Sequence, residues 1–264
     1  MMSLLKLKII SSTEKELASS VAGEKTSLVY AGAYSAGDRV SLETEKPGRY
    51  CMIQLEDSMP WALVYVAGVS MVFYIPEEGK RPNYSPKSFT GMCHLLRARA
   101  ATPGEIAKRR NLALNVYDEH ENKTFYPHAK ANVETRGEAV FAARNAVDGM
   151  FENTSHGNYP YQSWGINRDP NAALTLDFGR KVTLDEIRLT LRADYPHDNY
   201  WTSATVTFDD GTNEVFALTN DAEPQCFSIS PRTVQTLTLD KLIMAEGESP
   251  FPALTQIEAW GTES

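Results

Sequence analysis

The sequence predicts an all-β protein, with two β-sandwich (jelly-roll) domains joined by a short helix and a linker. Three observations carry that expectation. Short runs that alternate apolar and polar residues fill the first hundred positions, the same alternation returns after residue 125, and a capped helical signal followed by a polar stretch separates them. Alternation with a period of two is what a half-buried strand requires, because successive side chains point to opposite faces.

In residues 1–101 the candidate strands are the opening run from Met1 to Ile10, then Asp38 to Glu43, Tyr50 to Leu55, Ala62 to Val66, Val69 to Ile75 and His94 to Arg99. About six or seven strands in so short a stretch, punctuated by Gly and Pro, is sandwich or jelly-roll density. The long connection from Pro76 to Phe89 carries Lys80, Arg81, Asn83, Tyr84 and Lys87. It reads either as a Pro-rich crossing between sheets or as a place for a site.

Residues 102–125 change character. Thr102 can cap, Pro103 suits a first turn and Glu105 completes a capping box, so a short helix begins there. The basic triplet Lys108, Arg109 and Arg110 reads as a solvated face or a clamp between domains, and the polar run from Tyr117 to Thr124 reads as the linker. Past it, Leu174, Leu176 and Phe178 share one face of a strand, Ile187, Leu189 and Leu191 another, and Ala204, Val206 and Phe208 a third. Asp209-Asp210-Gly211 is a hairpin turn. No β-α-β order, internal repeat or Gly-rich phosphate loop is present, so nucleotide binding has no support.

The formal net charge of −8 is unevenly spread. Residues 1–125 hold 16 Lys/Arg against 14 Asp/Glu, and residues 126–264 hold 10 against 20. The acidic second half repels polyanions, which disfavours nucleic acid and anionic membrane surfaces as partners and favours neutral ligands. Cys51, Cys93 and Cys226 lack metal-ligand spacing and read as reduced thiols. With no signal-peptide pattern and no apolar run of membrane-spanning length, the expected location is cytoplasmic.

The richest run is Arg192 to Trp201, which crowds an arginine, a histidine, two carboxylates, an amide and three aromatics between two strand-like segments. Flat rings beside planar hydrogen-bonding groups suit a sugar, whose C–H faces stack and whose hydroxyls pair. Further residues in order carry a family likeness: Ala131 to Thr135, Phe141 to Gly149, Trp164, Leu174 to Gly179, Ile187 to Leu189 and Leu254 to Gly261. On them, residues 126–264 resemble the discoidin or coagulation-factor type C family of galactose-binding-like modules. The resemblance implies an antiparallel jelly roll that binds ligands through loops at one end, without catalysis.

It also implies candidates. His156, Arg192, Asp194, His197, Asp198, Trp201 and Phe251 are the expected ligand-binding residues, brought together from three apical loops around a carbohydrate. Trp164 matches a core tryptophan of the family. Arg192 with Asp194 could equally be an internal ion pair, and His197 a loop stabiliser. Family members often hold a structural calcium, for which Asp148 is the candidate ligand. Met150 and Gln256, however, stand where oxygen side chains and a glutamate are usual, which weakens such a site. No other cofactor is implied.

Two rival functions remain. Asp194, His197 and Asp198 could form the acid/base cluster of a glycan-active hydrolase, although no nucleophile signature accompanies them. The aromatic loop Asn158 to Gln162 could instead anchor a homo-oligomeric scaffold.

Overall fold

The computed structural model describes residues 4–153, 155–193, 197–247 and 249–264. The chain is all-β, with two cores. In the first, an antiparallel sheet runs in the order Glu16–Ser19, Leu5–Ile10, Arg39–Thr44 and Ser70–Tyr74. It shares its core with a second sheet ordered Phe125–Tyr126, Ala62–Val66, Arg49–Gln54, His94–Ala100 and Lys25–Tyr30. The alternation is visible residue by residue: Leu5, Leu7 and Ile9 are sealed against Val40, Leu42, Met71 and Phe73, while Lys6 and Lys8 between them keep contact with water.

The second core lies within one curled sheet, ordered Trp164–Gly165, Ala253–Glu263, Leu174–Leu191, Gln225–Met244, Trp201–Phe208 and Asn213–Ala217. His128–Ala131 pairs along Leu174–Leu191, and Arg110–Asn111 along the last strand. Two strands are unusually long, and both bend. Register breaks between Asp177 and Val182 and between Leu184 and Glu186 split the pairing of Leu174–Leu191 with Gln225–Met244. An irregularity of this kind bends the strand and raises its twist, which lets a single sheet close over its own apolar face. Gly179 sits in the first break with φ of 67°, and a Cβ there would meet the Tyr126 ring at 2.3 Å.

The segment 102–125 connects the two cores, but it is no solvated tether. Its helix, Pro103–Ala107, has the expected capping box: Glu105 Oε2 accepts the Thr102 N–H at 2.8 Å and Thr102 Oγ1 accepts the Glu105 N–H at 3.3 Å. Leu112 and Ala113 then enter the second core, and Val116, Tyr117 and Phe125 the first. Tyr117 donates its hydroxyl to the Pro60 carbonyl at 2.9 Å and accepts the Leu55 N–H at 3.1 Å. The run read as a polar linker therefore turns Asp118 and Asn122 inward, while His120, Glu121 and Lys123 stay exposed. Asn115 and Asp118 are fully buried, Asn115 donating to the Pro127 carbonyl at 2.7 Å and Asp118 accepting the Ala129 N–H at 2.8 Å.

Part of the basic triplet is a clamp. Arg109 pairs with Asp185 at 2.6 Å and Glu186 at 2.7 Å and covers the Trp260 ring at 5.4 Å. Arg110 meets Glu263, which also accepts from Arg180 at 2.5 Å and from the Tyr50 hydroxyl at 2.7 Å, a bond from the last strand to the first sandwich. Cys51 is buried, its thiol pushed up to about 12 by burial, and Cys93 and Cys226 are exposed; all three are free. Among the described residues, no helix is long and apolar enough to cross a membrane.

Burial pushes the Glu263 carboxyl upward, yet Arg180, Tyr50 and Arg110 outweigh it and hold the group below its ordinary value of 4.5. A depressed carboxyl stabilises the fold fully above the unfolded-state value and loses that contribution as pH falls through the lower folded value. Glu263→Gln should therefore lower the urea midpoint at pH 7 and flatten the loss of stability below pH 4.5. Parallel acid limbs for both proteins would contradict this account.

Candidate ligand-binding site

Irregular connections at one end of the curled sheet surround a cleft of about 110 Å³. Its walls come from the 135–141, 156, 165–168, 197 and 250–252 regions. Three of the expected residues meet there. His156 is exposed and lies 5.5 Å from the His197 ring and 6.3 Å from the Phe141 ring, which it stacks upon at 21°. His197 is buried, 6% exposed, and donates Nδ1–H to the Phe251 carbonyl at 2.8 Å, because a carbonyl oxygen can only accept. Phe251 presents its ring beneath the Arg168 guanidinium at 4.5 Å.

The cleft also contains residues that sequence reasoning missed. Arg136, Asn167 and Arg168 line it, and all three have left-handed backbones, with φ of 53°, 48° and 60°. Non-glycine residues in that region cost of order 1–3 kcal/mol each, and such strain concentrates where surrounding contacts over-determine it, often at functional sites. The contacts here are visible. Thr135 Oγ1 accepts the Asn167 N–H at 3.0 Å, and a Cβ on Gly165 would fall 2.6 Å from that same oxygen, so the two connections approach only because residue 165 is glycine. The available signals were local: Asn167 opens a turn-prone Asn-Arg-Asp-Pro run, and Gly137 follows Arg136. Arg136 grips Glu138 through two bonds of 2.6 and 3.0 Å and lies 5.7 Å from the Phe141 ring. Arg136 is neutralised by Glu138, so Arg168 is the arginine that brings a positive charge to the cleft within an acidic half.

Two expected contacts are corrected. Arg192, 1% exposed, lies beneath the surface. Its guanidinium donates to the Ser155 carbonyl at 2.8 Å, to the Tyr161 carbonyl and, at 3.5 Å, to Ser163 Oγ. Loop carbonyls outside any ladder need donors when buried, and a strand-end arginine supplies several from one side chain. Arg192 is thus a positioning residue for the loop that carries His156. Trp201 begins a strand, is sealed in the core and packs on Trp164 at 6.4 Å, so it offers no stacking face to a ligand. Trp164 is a core residue as expected, its indole N–H bonded to the Val133 carbonyl at 3.0 Å. Asp198 is exposed and is not among the cleft-lining residues. Asp194 lies outside the described residues.

Asp148 belongs to a different node. Its Oδ1 accepts the Met150 N–H at 2.9 Å and a Gln256 N–H at 2.8 Å, its Oδ2 accepts from Gln162 at 3.3 Å, and Arg144 approaches to 4.0 Å. Burial pushes the carboxyl above its ordinary value, against the pull of Arg144 and these donors. Gln256 Nε2 also lies 2.7 Å from the Asn145 carbonyl and 3.2 Å from the Met150 carbonyl, while its Oε1 accepts the Gly149 N–H at 2.9 Å. These partners fix the amide's orientation. An N–H donor therefore occupies the point on which three oxygens converge. Calcium takes six to eight oxygens and gains most from several carboxylates; as arranged, this donor set does not fit it.

The family described as a domain of unknown function (DUF7402) matches residues 126–249. No curated protein matches the chain. Solved structures with similarity include chitosan-binding module 1 from a Paenibacillus sp. IK-5 chitosanase/glucanase, at 20% identity over 58% of this chain and 100% of that one, with a TM-score of 0.41. Another is the lectin domain of lectinolysin complexed with Lewis B antigen, at 16% identity over 58% and 97%, with a TM-score of 0.43. A third is a Streptococcus pneumoniae fucose-binding module, at 11% identity over 58% and 99%, with a TM-score of 0.43. At such values the strand order itself defines the architecture.

The roles assigned to Arg192 and His156 separate in stability. Arg192→Leu should destabilise the fold by about 2–3 kcal/mol, since charge-assisted bonds to buried carbonyls are lost. His156→Ala, at an exposed position, should stay within about 0.5 kcal/mol. Urea unfolding followed by tryptophan fluorescence measures both, and the reverse order would contradict the assignment.

Proposed function

We propose that this chain is a non-catalytic carbohydrate-binding protein that recognises a sugar in the cleft formed by His156, His197, Phe251, Asn167, Arg168 and Arg136. The observation that carries the reading is the convergence of ring faces and planar donors on one strained, pre-formed depression. Phe251 and His156 offer flat surfaces to the C–H face of a pyranose, and the guanidinium and amide groups offer donors and acceptors to its hydroxyls. The volume sets the mode of binding. About 110 Å³ is below the roughly 300–1,000 Å³ of drug-sized pockets, so the cleft takes one ring or ring edge and leaves the rest of a glycan in solvent.

A hydrolase reading has less support, because glycoside cleavage ordinarily needs a carboxylate pair flanking the bond and the described cleft-lining residues include no carboxylate. Self-association through the 158–162 loop is also less favoured: Tyr159 and Tyr161 are half-buried and Gln162 is buried, so little of that run is free to anchor a partner. In this reading the Asp148 turn works without metal, held by Gln256 and Arg144. Melting temperatures measured with millimolar calcium and with a chelator should coincide, and a chelator-sensitive midpoint would overturn that part.

A glycan array that includes neutral and carboxylate-bearing sugars, followed by calorimetry on the best binder, tests the proposal. Phe251→Ala and Arg168→Ala should each weaken binding at least tenfold, about 1.4 kcal/mol, with the fold intact. Failure to bind any glycan, or full affinity in both variants, would reject the cleft.

A further inference from the structure

The cleft carries a positive charge that the protein itself does not answer. Arg168 is exposed, lies over the Phe251 ring at 4.5 Å and donates to no acceptor among the described residues. Elsewhere in the molecule guanidiniums are spent on acids: Arg99 on Glu105, Arg109 on Asp185, Arg180 on Glu263 and Arg232 on Glu214. Within the cleft Arg136 is closed off by Glu138. Asp169, next in the chain to Arg168, turns instead to the Asn171 N–H at 2.8 Å. No carboxylate stands among the described lining residues, so the Arg168 charge is uncompensated where a ligand would sit. Its left-handed backbone, with φ of 60°, follows an Asn167 whose N–H is bound to Thr135, so the fold rather than an ion pair places this side chain.

The open hydrogen-bonding groups of the cleft are donor-rich. The Asn167 amide and the exposed His156 imidazole, like Arg168, make no side-chain hydrogen bond among the described residues. A guanidinium has only donors, an amide has two N–H groups against one oxygen, and a neutral imidazole has one of each. A sugar hydroxyl brings its own proton and asks for an acceptor in return, whereas a carboxylate brings acceptors alone. It also matches the planar fork of an arginine with two parallel bonds, a geometry that the tetrahedral oxygens of a sulfate ester meet less well.

We infer that the sugar taken by this cleft is a uronic acid, its carboxylate gripped by Arg168 and its hydroxyls by Asn167 and His156, an inference that rests on sugar binding at this place. The acid surplus of residues 126–264, 20 Asp/Glu against 10 Lys/Arg, opposes a long polyanion. It does not oppose one carboxylate in contact with a guanidinium, because physiological salt screens exposed charges beyond about 8 Å.

Calorimetry on the full chain tests this with methyl glycosides matched except at C6: glucuronide against glucoside, galacturonide against galactoside and mannuronide against mannoside. At least one uronide should bind tenfold or more tightly than its neutral twin, and the ratio should shrink as salt is raised. In Arg168→Gln, which keeps a planar amide without the charge, the ratio should fall below threefold with the urea midpoint retained. Lys130→Gln, which removes an exposed charge outside the cleft, should leave the ratio unchanged. Neutral twins bound as tightly as uronides, with binding lost in Phe251→Ala, would overturn the inference and leave the sugar site standing. A preference that survives Arg168→Gln, or tighter binding of galactose 6-sulfate than of the galacturonide, would overturn it as well. Failure of every glycoside, charged and neutral alike, would overturn the inference together with the sugar site on which it rests.

Discussion

Buried backbone that belongs to no strand ladder must still find hydrogen-bond partners, and two sealed guanidiniums meet that demand here. Arg144 gathers the carbonyls of Val116 and Asp118, which fixes the connecting segment between the two cores. Arg192 gathers those of Ser155 and Tyr161, which fixes the loop that carries His156. A sandwich supplies rigid strands, but its ends are irregular by construction. The shape of this molecule's candidate site therefore depends less on the sheet than on charged side chains turned inward beneath it.

The sandwich architecture was legible because burial in a sheet leaves a two-residue rhythm. Leu174, Leu176 and Phe178, or Leu5, Leu7 and Ile9, show it without any knowledge of partners. The capping box at Thr102 and Glu105 was legible for the same reason, since every participant lies within four residues. What followed was not. Tyr117, Asn115 and Asp118 look like polar linker in sequence, yet their bonding partners lie at Pro60, Pro127 and Ala129, and composition alone does not reveal an inward-facing polar group.

The candidate site divides along the same line. His156, His197 and Phe251 could be picked out because imidazole and phenyl groups in turn-rich loops are unusual, and they do share one cleft. Arg192 and Trp201 had the same chemical appeal, but they stand at strand ends, where a side chain can fall on the core face, and both are buried. Arg136, Asn167 and Arg168 escaped notice because their distinguishing property is backbone conformation, imposed by Thr135 and the absent side chain of Gly165. A resemblance likewise suggested a cation beside Asp148. The Gln256 amide, read only as a missing glutamate, turns out to fill the convergence point with its own N–H groups.

Strain at Asn167 and Arg168, loops pinned from below and a ring-lined floor together describe a surface organised before any ligand arrives. Pre-organisation of that kind lowers the ordering cost of binding, which matters most for a shallow site that contacts only part of its ligand. The most direct measurement follows the imidazole resonances of the chain's five histidines during titration with the sugar that binds best. The account requires His156 and His197 to shift together along one saturation curve while His94, His120 and His128 stay still. Stationary resonances at 156 and 197 alongside saturable binding would place the sugar elsewhere and contradict the cleft.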